Sequence, residues 1–270
     1  LVTPRHAVRT EWNEAATRKH CRLTGEQLFI CCAEDRAEGR NGRGLNMLER
    51  AAMARRKKTE GRRQYKDLPD QIELVRGMKV MVTTNVETDL DVTNGARGEV
   101  VDIILDPEEP PIGEDPIVKL KYLPKYVLVK LTRTRATQLQ GLEEAVIPVE
   151  PMRVKMVVQV EEKKGEAKYK KTISRMQFPM TAAYGFIDYR AQGQTINPVI
   201  VDIATPPSAG LTQTAVYVAL LRSSGRENIR LLRDFDEEVL QDGVEPELME
   251  EDDRLERLDE ETKSWWKQMN

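Results

Sequence analysis

The sequence has few cysteines and histidines and contains no long apolar run. Cys21, Cys31 and Cys32 are odd in number and include an adjacent pair, which excludes a disulfide framework. The two histidines lie far from any C-x-x-C pattern and give no zinc site, so no metal ligands are predicted. Because no secretory leader or membrane-spanning run is present, we expect an intracellular protein, nuclear or mitochondrial, that is not secreted and has no membrane partner.

A phosphate-binding loop is also missing from the sequence. The pattern G-x-x-x-x-G-K-[ST] occurs nowhere, and the glycine-rich stretch "GRNGRGLN" lacks both the lysine and the hydroxyl residue in place. Without that loop, nothing cradles the β- and γ-phosphates of a nucleotide or presents a hydroxyl to Mg²⁺. We therefore expect that this chain alone does not hydrolyse ATP.

The net charge of −3 conceals two blocks of opposite sign. The segment Arg36–Lys66 is basic, and the segment Asp234–Glu261 is strongly acidic. Such blocks commonly form solvated helices or tails, but clustered cations also bind nucleic-acid phosphates without sequence preference. Both interpretations stay open for the basic run at residues 55–58.

The order of elements predicts an α/β protein interrupted by a β-rich part. A strand end, "LVTP", leads into a helix from about Ala7, and "LNMLERAAMARRKK" predicts a second helix. Short strands separated by tight turns then predict a small β-barrel between about Gly95 and Ile173, with "KKGEAK" as a hairpin tip. From Phe178 we expect a helix over "TAAYGFIDYRAQ", a buried parallel strand at "PVIVDIA", a helix at "TQTAVYVALLR" and a strand in "ENIRLLRDF".

The polar stretch "IDYRAQGQTI", between the first of these helices and the buried strand, is either a simple turn or a ligand-facing corner. Gly193 fits a helix C-cap in both interpretations. The amide of Gln192 could both donate to and accept from a nucleotide. Arg222, at the end of the next helix, offers a fork of donors suited to a γ-phosphate, although spacing alone favours a structural role.

Four segments in this order resemble the C-terminal half of superfamily 1B DNA helicases of the petite-integration-frequency and RecD type, common in helitron-like elements. They are "LVTPRHAVRTEWNEAA", "DLPDQIELVRGMKVMVTTNVETDLDVTNGARGEVVDI", "QFPMTAAYGFIDYRAQGQTI" and "AVYVALLRSSGRENIRLL". The resemblance covers roughly Leu1 to Phe235.

The resemblance implies a RecA-like parallel-sheet domain with an inserted, small Src-homology-3-like β-barrel. Residues 1–94 would form its first part, with a basic helical insertion at about 36–66, and residues 95–175 the barrel. Residues 176–235 would form the second part, with helicase motifs V and VI, and residues 236–270 an acidic tail.

The resemblance also implies residue roles. Arg222 would be the catalytic arginine that acts on the γ-phosphate of ATP, with Gln192 and Gly193 beside the nucleotide. Asn13, Arg190 and Thr195 would lie near single-stranded DNA. ATP and Mg²⁺ would be bound mainly by an N-terminal RecA-like domain, because the acidic motif II of the family is also absent. That domain and single-stranded DNA are the expected partners.

Two departures from the family pattern keep the function open. Leu221 stands where the family has Ser or Thr, and Tyr189, Arg190 and Ala191 replace His-Lys-Ser. The chain also starts without Met at a strand end, so we expect a piece of a larger protein or a truncated gene product. Besides a helicase motor domain, the alternatives are a non-catalytic nucleic-acid-binding remnant and a protein-interaction module that uses the acidic tail and the barrel.

Overall fold

The computed structural model describes residues 1–38, 43–59, 68–135, 138–161, 169–187, 191, 193–206, 210–241 and 246–269. The chain divides into two compact units. An α/β unit consists of Leu1–Arg9 and Phe186–Asn270, and a β-rich unit consists of Thr10–Gly185. These bounds differ from the predicted divisions after residues 94 and 175, and the predicted hairpin tip "KKGEAK" lies outside the described residues.

The helices are α1 His6–Thr24, α2 Met47–Thr59, α3 Gln213–Leu220 and α4 Pro246–Met269, with 3₁₀ turns at Arg226–Asn228 and Glu237–Leu240. The strands are β1 Leu28–Cys32, β2 Glu34–Ala37, β3 Gln71–Leu74, β4 Lys79–Val82, β5 Arg97–Ile104, β6 Ile117–Lys119, β7 Tyr126–Leu131, β8 Val146–Val149, β9 Met152–Val160, β10 Tyr169–Gln177, β11 Met180–Ala182, β12 Val199–Val201 and β13 Ile229–Leu231. No helix in these ranges is long and apolar enough to cross a membrane.

The α/β unit is built on parallel strand pairing. Val2 bridges to both Phe186 and Val201, and β12 pairs with β13, in each case in parallel. The predicted buried parallel strand is therefore confirmed at β12, where Val199 and Val201 are buried. Helix α3 connects β12 to β13 as a crossover, as parallel strands require. It begins at Gln213 because the Thr212 hydroxyl accepts a hydrogen bond of 3.2 Å from the amide of Ala215.

The described residues of the β-rich unit form three sheets. Their strand orders are β3-β1-β6, β2-β10-β9 and β11-β4-β5-β7-β8. One apolar core joins β1 and β3 to the five-stranded sheet, with Phe178, Leu28, Leu74 and Met78 among its most deeply buried side chains. The six strands β5–β10 fall in the region where short strands were predicted. Closure into one barrel is not among the strand pairings of the described residues, so the barrel stays a prediction.

Helix α1 is confirmed close to its predicted start. Asn13, Thr17 and Cys21 are buried at spacings of four residues, so the part of the helix that belongs to the β-rich unit has one buried side. Gly25 follows the helix with a φ of +74°, and its amide donates to the carbonyl of Cys21 at 2.9 Å. That left-handed conformation suits glycine and ends the helix there.

The predicted helix over "TAAYGFIDYRAQ" is wrong for its first seven residues. Thr181 and Ala182 belong to β11, where Thr181 pairs with Met81 on β4. The chain stays non-helical up to Ile187, and Phe186 forms the bridge to Val2. Backbone pairing with segments far along the chain therefore overrides the helical propensity of this alanine-containing stretch. Ala191 is helical, and residues 188–190 and 192 lie outside the described residues.

Helix α2 starts with a capping box on the sequence N-x-x-E. The Asn46 side-chain oxygen accepts from the Glu49 amide at 2.9 Å, and the Glu49 carboxylate accepts from the Asn46 amide at 2.9 Å. Arg43 donates two further hydrogen bonds to Glu49, at 2.7 and 2.8 Å. Ala52 and Met53 then pack into a second apolar cluster with residues of β9 and β10.

Acid should remove the contribution of Glu49 to stability. The hydrogen bond from Arg43 is the main cause that lowers the pKa of the Glu49 carboxyl. A carboxyl whose folded pKa is depressed stabilises the fold above its unfolded pKa, and this stabilisation is lost as the pH falls through the folded pKa. We expect Glu49→Ala to lower the free energy of unfolding by about 1 kcal/mol at pH 7 through loss of the capping interactions. The deficit should shrink as the pH falls below about 4.

Urea unfolding of wild type and Glu49→Ala at pH 7 and under acid measures this deficit. Glu144→Ala is the matched control, because Glu144 is exposed in the same unit. A Glu49→Ala deficit that stays constant across the pH range would contradict the assigned role of the Arg43–Glu49 pair.

Candidate functional site

Arg222 ties the end of helix α3 to the turn that precedes strand β12. Its side chain is only 7% exposed. The guanidinium Nε donates to the Val218 carbonyl at 2.7 Å, and Nη1 donates to the carbonyls of Ala191 and Gln194 at 2.9 and 3.1 Å. The Arg222 carbonyl in turn accepts from the amide of Ile196 at 2.7 Å. The predicted catalytic arginine is thus a structural link between α3 and the polar corner.

Gly193 lies within the turn that Arg222 holds. Its φ of +74° is the left-handed conformation predicted for a C-cap glycine, and an added Cβ would meet open space. Thr195 is exposed just beyond it. The structure therefore brings Gly193, Thr195 and Arg222 together, whereas Gln192 and Arg190 lie outside the described residues.

This corner lies at the amino end of β12. The turn at residues 193–196 precedes the strand, and Arg222 lies ahead of β13, which runs parallel to β12. In open α/β sheets, ligands usually bind outside the carboxyl ends of the strands. The corner therefore lies at the amino ends of the strands, opposite the ends at which ligands usually bind.

Sequence reasoning missed a buried polar cluster at the carboxyl ends. Asp202 follows β12 and is fully buried, and its Oδ2 accepts from the Thr3 hydroxyl at 2.9 Å. The Arg233 Nε lies 3.2 Å from the other carboxylate oxygen, Oδ1. Arg5 donates to the carbonyls of Ala204 and Thr205 at 3.0 and 3.1 Å.

The polar cluster connects the chain just after Val2 with the segments just after β12 and β13. One signal could have found it, because an aspartate directly after a buried parallel strand marks a strand end in "PVIVDIA". The pairing of Asp202 with Thr3 had no local signal.

Asn13 is buried in the β-rich unit, with 5% of its surface exposed. Its Oδ1 accepts from the amides of Tyr184 and Gly185 at 3.1 and 2.7 Å, and its Nδ2 donates to the Gly185 carbonyl at 3.2 Å. The side-chain amide thus holds the backbone that follows β11. Its contact with DNA stays a prediction.

In the basic run at residues 55–58, the structure describes the side chain of Arg55 alone. Arg55 donates to Glu161 on the segment after β9 at 3.2 Å and is half exposed, as in a solvated face. The side chains of residues 56–58 lie outside the described part. Within the described ranges, no group of three or more His, Cys, Asp or Glu side chains could hold a metal ion.

Comparison with known proteins places the fold. No family model matches the chain, and no curated protein matches it. Among solved structures, it is similar to the Pif1 helicase from Candida albicans, with a TM-score of 0.55 and 20% identity over 94% of this chain and 49% of that chain. It is also similar to a Bacteroides Pif1 bound to single-stranded DNA, with a TM-score of 0.57 and 14% identity over 96% and 45% of the two chains.

A third similar structure shows two coordinating Pif1 helicases at forked double-stranded DNA, with a TM-score of 0.52 and 14% identity over 95% of this chain and 44% of that chain. At these identities the similarity shows the fold alone. The chain therefore has an α/β, RecA-like fold that is similar to the fold of these Pif1 helicases. It spans about half the length of the structures that it matches.

Proposed function

We propose that this chain supplies the second motor domain of an ATP-dependent DNA helicase, as the C-terminal half of a helitron-like member of the family. The observation that carries the proposal is the fold similarity, which extends over nearly all of this chain and about half of each Pif1 helicase. The order of the four sequence segments that resemble superfamily 1B helicases supports it independently. Such a role fits a nuclear or mitochondrial protein of DNA repair and recombination.

In this role the active site is shared with a separate RecA-like domain. That domain would bear the phosphate loop and hold ATP and most ligands of Mg²⁺, because this sequence lacks the loop. Gln192, Gly193 and Arg222 would face the nucleotide from this chain, and Arg222 would stabilise charge on the γ-phosphate during transfer. The cleft between the two RecA-like domains would open and close with each ATP, and this motion would drive movement along single-stranded DNA.

Single-stranded DNA is the proposed polymer substrate. The Bacteroides Pif1 with the same fold binds single-stranded DNA. Asn13, Arg190 and Thr195 are the residues proposed to line the path in this chain. Of these, Thr195 is exposed, and its side chain takes part in none of the hydrogen bonds described above. Asn13 would act by shaping the backbone at Gly185.

Two measurements test the proposal. The chain alone should bind a labelled oligothymidylate, with an affinity that falls linearly with salt concentration on a double-logarithmic plot. It should show no ATPase activity until it is fused to a RecA-like domain with a phosphate loop, and single-stranded DNA should then stimulate hydrolysis. Absence of DNA binding at low salt would contradict the proposal and favour the interaction module.

The second candidate function is a non-catalytic nucleic-acid-binding remnant. It is favoured by Leu221, whose side chain is 49% exposed at a position where the family has a hydroxyl. The two candidates predict the same DNA binding by the chain alone. They differ in the fused protein, because the remnant would bind DNA there without hydrolysing ATP.

A further inference from the structure

Helix α4 carries a row of large apolar side chains on its surface. None of its 24 residues is buried. Six apolar residues, each 42–62% exposed, form what we call the apolar stripe: Leu248, Leu255, Leu258, Trp265, Trp266 and Met269. Their spacing places them within an arc about 100° wide, the width by which a helix faces a core. Met249 is also exposed but lies outside this arc.

Such a stripe indicates a helix that packs against something. Most helical stability in proteins comes from burial of an amphipathic face, and in α4 that face is exposed. Contiguous exposed apolar surface on a soluble protein marks an interaction site. Two adjacent tryptophans, Trp265 and Trp266, strengthen this inference because tryptophan is enriched among residues that dominate binding energy.

The charge of α4 specifies the chemistry of the partner. The helix contains nine Asp or Glu residues and four Lys or Arg residues, a net charge of −5. Arg254 is already paired with Glu251, and Lys263 with Asp259 and Glu260, within the helix. The uncompensated charge is therefore acidic and borders the stripe, so a partner with lysine or arginine beside its own apolar face is complementary.

A second copy of the chain fits this surface poorly. Two copies would bring together two helices of charge −5. Leu248, Leu255 and Met269 fall at heptad position a, and Leu258 and Trp265 at position d. In that frame Glu251 also occupies position d and would face its own copy across a parallel pair. Like charges at such a seam oppose self-association.

We propose that the apolar stripe of α4 docks a basic amphipathic helix of a partner protein. The stripe packs against leucine-type residues of that helix, and lysine or arginine residues at its edges meet the acidic flanks of α4. This inference rests on α4 alone and not on the proposed motor function. It stands or falls independently of ATP hydrolysis and DNA binding.

A synthetic helix tests the proposal with the full 270-residue chain. The probe is a labelled four-heptad peptide with leucine at positions a and d and lysine at e and g, a charge pattern that opposes its own self-association. Fluorescence anisotropy should show binding that weakens as salt rises. A peptide with glutamate in place of the lysines, and one with the same composition but permuted leucines, should each bind at least tenfold more weakly.

Variants of the chain locate the interaction. The double substitution Leu255→Ser and Leu258→Ser should weaken peptide binding at least tenfold, whereas Met249→Ser, outside the stripe, should leave it unchanged. All three substituted positions are exposed, and circular dichroism verifies that the helix persists.

Three results would overturn the proposal. If the permuted peptide bound as tightly as the original one, the binding would depend on charge alone. If the double variant bound the original peptide as tightly as wild type, the site would lie elsewhere. A wild-type dimer in sedimentation that the double substitution dissociates would assign the stripe to a second copy of the chain.

Discussion

Arg222→Ala should abolish most of the ATPase activity of a fusion with a phosphate-loop domain and should also destabilise the α/β unit. An arginine that stabilises the transferring phosphate is worth about 10³-fold or more in turnover. The substitution also removes the hydrogen bonds to the carbonyls of Val218, Ala191 and Gln194. Leaving a buried acceptor unpaired costs about 1–3 kcal/mol. The bond to Ala191 is buried and those to Val218 and Gln194 are partly buried, so we expect a total loss of about 3 kcal/mol.

Two readouts separate the catalytic role of Arg222 from its structural one. Thermal unfolding of the chain with and without Arg222→Ala measures the loss of stability. ATPase assays of the two fusions, far below the melting temperature of each, measure the loss of catalysis. Arg226→Ala is the matched control, since Arg226 is an exposed arginine on the 3₁₀ turn after α3. A variant that is less stable but hydrolyses ATP as fast as the unsubstituted fusion would limit Arg222 to the structural link seen here.

Gly98→Ala should unfold the β-rich unit more readily, although glycine-to-alanine changes in open positions tend to stabilise proteins. Gly98 lies in β5 opposite Leu131 on β7. A Cβ at this position would lie 2.5 Å from the Lys130 carbonyl oxygen and 2.6 Å from Val129 Cγ1. The nearer of these atoms belongs to the backbone of a central strand, so either β5 or β7 must shift. We expect a loss of about 3 kcal/mol, at the upper end of the range for overpacking.

Urea unfolding at neutral pH measures the effect of Gly98→Ala. Gly113→Ala is the control, because an added methyl there meets open space. That control should be neutral or slightly stabilising, since alanine reduces the entropy of the unfolded chain. A Gly98→Ala variant as stable as Gly113→Ala would show that the β5–β7 pair accommodates the methyl group without strain.

Elements with local signals were predictable from the sequence. The starts of α2 and α3 follow from short-range capping, with Asn46 and Glu49 in one case and Thr212 in the other. The left-handed conformation of Gly193 likewise follows from its place after a helical stretch and before a buried strand.

Features fixed by distant segments were not predictable. The stretch at Thr181 was assigned to a helix because nothing local reveals its pairing with Met81 on β4. The bond between Thr3 and Asp202 joins residues 199 positions apart, and no periodicity links them. Arg222 was recognised through a family resemblance, but its three bonds to backbone carbonyls depend on how α3 packs and could be seen only in the structure.

The parallel bridges of Val2 also fix an order of events during synthesis. Val2 is synthesised before the β-rich unit, whereas its neighbours at Phe186 and Val201 are made only after the whole of that unit. At about 5–20 residues per second, Val2 waits about 10–40 s for its partners. In that interval Val2, which is fully buried in the folded protein, has no sheet to join. The sheet of the α/β unit can therefore form only after the whole β-rich unit has been synthesised, because its paired segments flank that unit in the sequence.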